Sequence, residues 1–589
     1  MNIYKINIDN RNYSSWSLFN ASTLEPITID DFNPIDHKLF TNDVFTYNKG
    51  NVEIIHSSVR LNVNIPAVLI LVDNKTYGRH YNLETGQTNT RKITGGKLLY
   101  KCIPDDTRIP AFLVPYEIKK MGFSKLFTNL YVTIHYKQWD NKHPYANLSQ
   151  TIGSVDVLDN FYEYQLYCKS LNASIQNFNR DTNKAIKTNA EEHDIFINSI
   201  CKKYPQIEDR TLWKVFTIDP ATSLDYDDGF SIKNVNENQI LISIYIANVS
   251  IWMDSLNLWS SFSQRISTIY LPDRKRPMLP TILSDCLCSL QSGKRRFAFV
   301  MDIILNKDLT IESINYTNAL IKVFKNFAYE EHSLLQDVDY NFILETTKLV
   351  SRKYKYIANV RDSHEVVCYL MTFMNYHCAQ ELLKQNTGIF RSTIVKNSTI
   401  IALPNNLPDD VSQFIKIWNS SCGQYINIST ADVINIKHEQ LGMDAYVHIT
   451  SPIRRLVDLL NIIKLNSRFI QLSSDAEKFY DKWIEQIDYI NVTMRSIRKV
   501  QSDCLLLDHF YHSPNILDEI FDGYCFDKLV RNDGLYQYIV FLPTLKLTSK
   551  ITIRENLENY EKRQYKLYLF TNEQNFKKKV RLQLFEKCT

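Results

Sequence analysis

Four aspartates, Asp219, Asp225, Asp227 and Asp228, crowd one short stretch between Phe216 and Ser231, directly after the apolar run Leu212 to Ile218. An apolar run that feeds a polar, Asp-rich stretch places carboxylates at the end of a strand. Four carboxylates with few bases among them repel one another at close range, so a fold that gathers them needs a cation between them. Oxygen-rich clusters favour magnesium, with manganese as the other candidate. The chemistry this suits is metal-dependent phosphoryl transfer. On the tetrad alone, an Asp-rich turn on a solvated surface is the simpler reading. A calcium loop of the helix-loop-helix kind fits poorly, because Gly229 follows Asp225 one residue too early and no glutamate closes the loop.

The rest of the chain decides between these readings. Thr217-Ile-Asp-Pro220 and Asp225-Tyr-Asp-Asp-Gly229 are followed in order by Ile244 to Ser250, Tyr270 to Pro280, Leu283 to Leu290, Met371 to Asn375, Phe390-Arg391, His438 to Gly442 and Tyr446 to Asp458. These blocks resemble, in the same order, the catalytic RNB domain of the ribonuclease II and ribonuclease R family, whose signature is T-I-D-P then D-x-D-D-A. Gly229 stands where the family has alanine. The likeness is nearest to the eukaryotic exosome-nuclease branch, without its PIN domain.

Composition agrees with a multidomain globular protein: 589 residues, 44% hydrophobic and 22% charged. A net charge of +4 is only mildly basic, so a nucleic-acid surface must be a local channel or stripe. Eleven cysteines occur without a C-x-x-C pair, which excludes the usual zinc spacings and suits a reducing compartment. Met1 to Ser14 lacks the apolar core of a signal peptide, and the run Ile65 to Val72 is far short of a membrane span. A soluble, cytoplasmic monomer is expected.

Residues 1–95 alternate apolar and polar positions in short runs and predict a β-rich barrel of the OB, cold-shock-like kind. Residues 96–165 resemble the second cold-shock-type barrel of the exosome branch. OB folds bind single strands by stacking bases on aromatics over a basic groove, and Tyr131, Tyr136, Trp139, Lys119, Lys120 and Lys137 are suitable parts; β-sheet core is the plainer role for each aromatic. A polar helical linker over 166–210 leads into an α/β catalytic domain at 211–514. Residues 515–589 alternate as strands where the family has a third OB-type barrel. There Lys577, Lys578, Lys579 and Arg581 form a basic run that fits an RNA entrance or a solvated surface.

In Thr450-Ser-Pro-Ile-Arg-Arg-Leu-Val-Asp458, Ser451 suits a helix cap and Pro452 the first helical position, which places Arg454 and Arg455 in the first turn. Cations there oppose the helix dipole and are tolerated where a phosphate or carboxylate meets them. An ion pair with Asp458 is the plain alternative. The resemblance implies that Asp219, Asp225, Asp227 and Asp228 hold magnesium, that Asp227 and Arg454 are catalytic with Arg454 on the scissile phosphate, and that Tyr270, Tyr329, Arg391 and Arg455 contact RNA. Tyr270 and Tyr329 would clamp the terminal bases; a core role fits Tyr329 equally.

The resemblance implies a magnesium-dependent 3′-to-5′ exoribonuclease that hydrolyses single-stranded RNA to nucleoside 5′-monophosphates. The alternative is an inactive RNA-binding scaffold on the same fold. Departures from the pattern favour the latter: the family's H-I-A-D reads Tyr245-Ile-Ala-Asn248, next to the tetrad in sequence space, and its Glu-Glu pair reads Cys368-Tyr369. Losing an acceptor for the terminal ribose implies a slower enzyme with weaker discrimination against a 2′-deoxy end, and Tyr369→Glu is expected to restore part of it.

Overall fold

A computed structural model describes residues 2–585 apart from 49, 81–95, 118–126, 189–192, 357–358, 394–402, 405, 420–422, 429–435, 532 and 574–575. The described chain divides into one unit of residues 1–172, 271–273 and 499–589, and another of 173–270 and 274–498. The class is multidomain, an α/β domain with all-β OB-type flanks. Among the described residues no helix is long and apolar enough to cross a membrane.

The first unit contains three sheets of OB type, of five, six and five strands. In the first, Ile3–Ile8 is central, between Trp16–Asn20 and Val44–Asn48. In the second, Ile65–Leu69 pairs with both Leu130–Gln138 and Lys97–Pro104, and Tyr145–Ser154 closes the ring by pairing parallel to Phe112–Tyr116. The second barrel therefore begins well before residue 96, because its first strand must bond two neighbours for the ring to close. In the third, Ile520–Val530 lies between Tyr536–Leu542 and Lys562–Thr571.

The aromatics read as candidate stacking platforms face inward. Tyr131 is fully buried, stacked on Tyr164 with its hydroxyl on the Phe576 carbonyl, and Trp139 packs against Phe40 and Tyr13. Tyr136 lies under the Arg60 guanidinium. Lys137 is exposed, and Lys119 and Lys120 fall outside the described residues. The alternating pattern that singled these rings out is the pattern of a barrel interior, whose burial yields about 1.5–3 kcal/mol per large side chain.

In the second unit, Glu208–Asp219, Asp228–Asn236, Gln239–Ala247, Arg295–Asn306 and Ile311–Ala328 form a closed barrel. Only the contact between its first and last strands is parallel. Gln239–Ala247 is buried along nearly its whole length, as a strand covered on both faces must be. Helix Ser363–Lys384, capped by Asp362 on the Glu365 amide, sets Val366, Leu370, Phe373 and Met374 into one core with Phe216, Ile218, Phe230 and Ile244 of the barrel. This core fixes the strand ends that carry the aspartates.

A buried carboxylate ties the helices beside the barrel. Asp254 accepts hydrogen bonds from Lys203 Nζ, the Tyr204 hydroxyl, Trp259 Nε1 and both the amide and hydroxyl of Ser473. Burial alone would raise its pKa; the bonds from Ser473, Tyr204, Trp259 and Lys203 outweigh that and hold it at about 2. A carboxyl depressed in the folded state stabilises above its unfolded value, near 4, and that contribution is lost as pH falls through about 2. The expected result is that the stability gap between the parent and Asp254→Asn, read by urea unfolding, shrinks by about 2 kcal/mol between pH 4.5 and pH 2. A gap independent of pH would show that the Asp254 pKa is the same folded and unfolded, and a gap that widens as pH falls that Asp254 is protonated in the fold.

Candidate active site

Asp219 ends one barrel strand and Asp228 begins the next, with Asp225 and Asp227 in the loop between them. That loop is stapled to the segment around Ser289: the Tyr226 amide donates to Ser289 Oγ, Ser289 Oγ to the Leu224 carbonyl, and the Leu290 amide to the Tyr226 carbonyl. Gly229 follows because a Cβ there would stand 3.2 Å from the Phe216 carbonyl oxygen, so even alanine would press on the backbone of the neighbouring strand.

Asp227 is the hub. Its Oδ1 accepts the Ile453 amide at 3.0 Å and its Oδ2 accepts Arg454 Nε at 3.1 Å. Arg454 also donates to Ser451 Oγ, and its side chain remains 46% exposed while Asp227 is buried. The arginine turn is pinned by the Thr268 amide on the Arg454 carbonyl and the Leu456 amide on the Ile266 carbonyl. Asn375 holds the approach to it, donating to the Tyr446 hydroxyl and accepting the Ile449 amide.

The helix begins later than the sequence implies. It spans Leu456–Asn466 with Arg455 in extended conformation as its cap, so Ser451 does not cap it and neither arginine lies in its first turn. Residues 451–455 form a separate turn, whose Arg454 and Arg455 amides reach the Ser451 carbonyl, and Arg455 then makes a β-bridge with Ser267 that interrupts the helical path. Arg455 turns inward onto Asp458 at 2.8 Å, the plain ion pair, and Asp458 also accepts the Ser451 amide. Only Arg454 of the two keeps an exposed guanidinium.

Burial pushes the Asp227 carboxyl up to about 7, against the pull of Arg454 and the Ile453 amide. Burial likewise takes Asp219 to about 7, opposed by Thr217 and Arg454 and reinforced by Asp225. Asp228 is raised well above the ordinary range by burial and then by Asp219 and Asp227. Carboxyls whose pKa is raised by burial bind a cation with proton release. Two oxygens, Asp219 Oδ2 and Asp228 Oδ2, are buried without any hydrogen-bond partner. Among the described residues no three His, Cys, Asp or Glu side chains close into an ion cage. Magnesium does not ask for one, since it keeps several waters and takes one or two carboxylates plus substrate phosphate. The orphaned oxygens fit such an ion.

Asp225 is engaged by Tyr270, which the sequence singled out for another role, and by Lys275, which it did not. The Tyr270 hydroxyl donates to its Oδ2 at 3.1 Å, and Lys275 Nζ stands 3.4 Å from its Oδ1 and 2.9 Å from Asp285. Lys275 pairs across a short β-ladder with Tyr270, and Asp285 sits in a π-helical turn, Ile282–Leu287. Such turns recur at functional sites. Tyr329 donates its amide to the Asp219 carbonyl, and its ring lies parallel to His364 with centroids 3.7 Å apart. Arg391 donates to the Gly423 carbonyl, with its guanidinium over Tyr425, and these two contacts lie apart from the aspartates.

The residue profile of the RNB domain matches residues 207–365, which contain all four aspartates, Tyr270 and Tyr329. This chain carries an RNB domain, and the curated proteins it is similar to include ribonuclease R and exoribonuclease 2. Arg391, Arg454 and Arg455 lie beyond the matched RNB segment and are brought to their places by the fold alone. Exoribonuclease 2 of Yersinia enterocolitica is 33% identical over 353 residues, 48% of this chain and 53% of that protein. The chain spans about half the length of the curated relatives it matches. The apo form of Mycoplasma genitalium RNase R superposes with a TM-score of 0.67 at 15% identity, over 99% of this chain and 100% of that one. Yeast Ssd1, a pseudonuclease, superposes with a TM-score of 0.56 at 12% identity, over 96% and 80%. The RNB architecture thus accommodates nuclease and pseudonuclease alike, and side chains must decide between them.

The departures from the resemblance resolve unequally. Tyr245 bonds Ser231 in the interior, and Asn248 caps helix Val249–Ser255 while bonding Asn318, Ser250 and Asn466; none of these partners is an aspartate of the tetrad. Tyr369 is buried with its hydroxyl on the Tyr354 carbonyl, whereas Cys368 is exposed and close enough to Tyr329 and Tyr446 to be felt by both.

Proposed function

We propose that this protein is a magnesium-dependent 3′-to-5′ exoribonuclease acting on single-stranded RNA and releasing nucleoside 5′-monophosphates. The observation that carries the reading is the pairing of a buried Asp227 with a half-exposed Arg454 beside two partnerless carboxylate oxygens. A solvated Asp-rich turn would leave no carboxylate oxygen buried without a donor, because each such atom costs about 1–3 kcal/mol.

Asp219, Asp225, Asp227 and Asp228 would hold the ion, which supplies charge on the phosphate oxygens and a more acidic attacking water. Asp227 aims the Arg454 guanidinium, which stays partly exposed and so can take the charge that builds on phosphorus. Burial of Asp227 removes competing water from that pair and fixes its direction before substrate arrives. The parallel Tyr329 and His364 rings offer a flat face for a terminal base, and Tyr270 holds Asp225 by its hydroxyl.

A second reading, an RNA-binding protein without turnover, is favoured by one specific observation: Lys275 lies on Asp225, where it competes with a metal for that carboxylate. A time course with 5′-labelled single-stranded RNA and magnesium separates the two. The expected result is progressive shortening to a small labelled core, with circular RNA resistant. Cleavage of the circle would make the protein an endonuclease, and tight binding without shortening would establish the second reading.

A further inference from the structure

The unit that holds the three barrels contains a cavity of about 620 Å³, walled by helix Leu158–Cys168, by Lys499 to Leu506 and by strands Leu547–Ile553 and Lys578–Leu584. That volume is in the range of small-molecule sites. Eight of its lining residues are basic and one, Asp503, is acidic, in a chain whose net charge is +4, so the rest of the protein is net acidic. Two of the eight are neutralised nearby, Arg531 by Asp533 and Lys577 by Asp105. The other six are Lys169, Lys499, Lys550, Lys578, Lys579 and Arg581, and none stands in an ion pair among the described residues. Arg581 instead lies over Phe570.

We propose that this cavity binds a compact ligand carrying three or more phosphates, separately from the aspartate site. Like charges brought together in a partly enclosed space raise one another's energy, and a fold that keeps six of them unpaired has a strong field for a multivalent anion. Burial lowers the ammonium pKa of Lys578 and Lys579, and burial raises the Asp503 carboxyl even among lysines, so the one acid in the wall is a weak counter-charge. The lining favours a phosphate-dense small ligand over a strand of RNA. Readers of single strands interleave cations with exposed rings, whereas here Phe161 is 3% exposed and Tyr568 is the one accessible aromatic.

The test is calorimetric titration of inorganic tripolyphosphate into the full chain with EDTA present. We expect saturable one-to-one binding, a melting temperature raised by tripolyphosphate and not by equal orthophosphate, and at least tenfold weaker binding in Lys499→Gln/Lys579→Gln. Removing like-charge repulsion should leave that variant at least as stable as the parent; Lys169→Gln/Lys550→Gln attacks the cavity from other walls and should show the same loss. Titration of ATP and of inositol hexakisphosphate then distinguishes nucleoside from non-nucleoside sources of the phosphates. Absent saturation, or unchanged binding in both variants, overturns the proposal. So does a short single-stranded RNA that displaces tripolyphosphate and is itself lost from the variants, which would assign the cavity to RNA.

Discussion

Asp227→Asn is expected to lower RNA hydrolysis by roughly 10³-fold or more while leaving RNA affinity in EDTA unchanged or higher. The asparagine oxygen can still accept the Ile453 amide, but the group facing Arg454 Nε becomes an NH₂, so a donor meets a donor and the guanidinium loses its aim. The same change removes one negative charge from beside the orphaned oxygens of Asp219 and Asp228, weakening the hold on a metal and the repulsion of phosphate together. Chemistry and binding therefore separate. A gel time course measures the first and filter binding the second; retained turnover with magnesium in excess would remove Asp227 from the mechanism.

The legible part of this protein was whatever is written locally. The apolar run into Thr217-Ile-Asp219 predicts a strand that ends on a carboxylate, and the structure has one. The Asp227–Arg454 contact joins residues far apart in sequence; the family blocks gave both a catalytic role but not the contact between them. Propensity misled at Ser451-Pro452, a good helix start in isolation, because the β-bridge of Arg455 to Ser267 delays the helix to Leu456. Lys275 stayed hidden in the basic run Arg274-Lys275-Arg276, which reads as a solvated turn until the ladder with Ile269–Tyr270 turns it onto Asp225. Asp285 and His364 carried no signal of their own: each acquires meaning only from the partner that tertiary structure gives it.

The Cys368-Tyr369 pair shows where a block-by-block reading of a helix goes astray. Adjacent residues on a helix point about 100° apart, so positions 368 and 369 of this helix do not share one environment. Here Cys368 is the outward position, and Tyr369 is 1% exposed, packed against Tyr356 and Phe373 with its hydroxyl on the Tyr354 carbonyl. Tyr369→Glu would bury an unpaired carboxylate, lose that hydrogen bond and leave a void where the ring was, each a recognised large cost. The expected result is destabilisation by about 4 kcal/mol or more, a large share of a domain's usual 5–15 kcal/mol, and no gain in sugar recognition. Cys368→Glu places the acid beside Tyr329 and Tyr446 on an exposed turn, where stability should change by about 0.5 kcal/mol at most. If a terminal ribose docks there, one new hydrogen bond is worth about 0.5–1.5 kcal/mol, so the preference for a ribose over a 2′-deoxyribose 3′ end should rise roughly 2- to 12-fold. Urea unfolding of both variants, with paired assays on the two 3′ ends, decides it: a Tyr369→Glu protein as stable as the parent would mean that this side chain is not in the core.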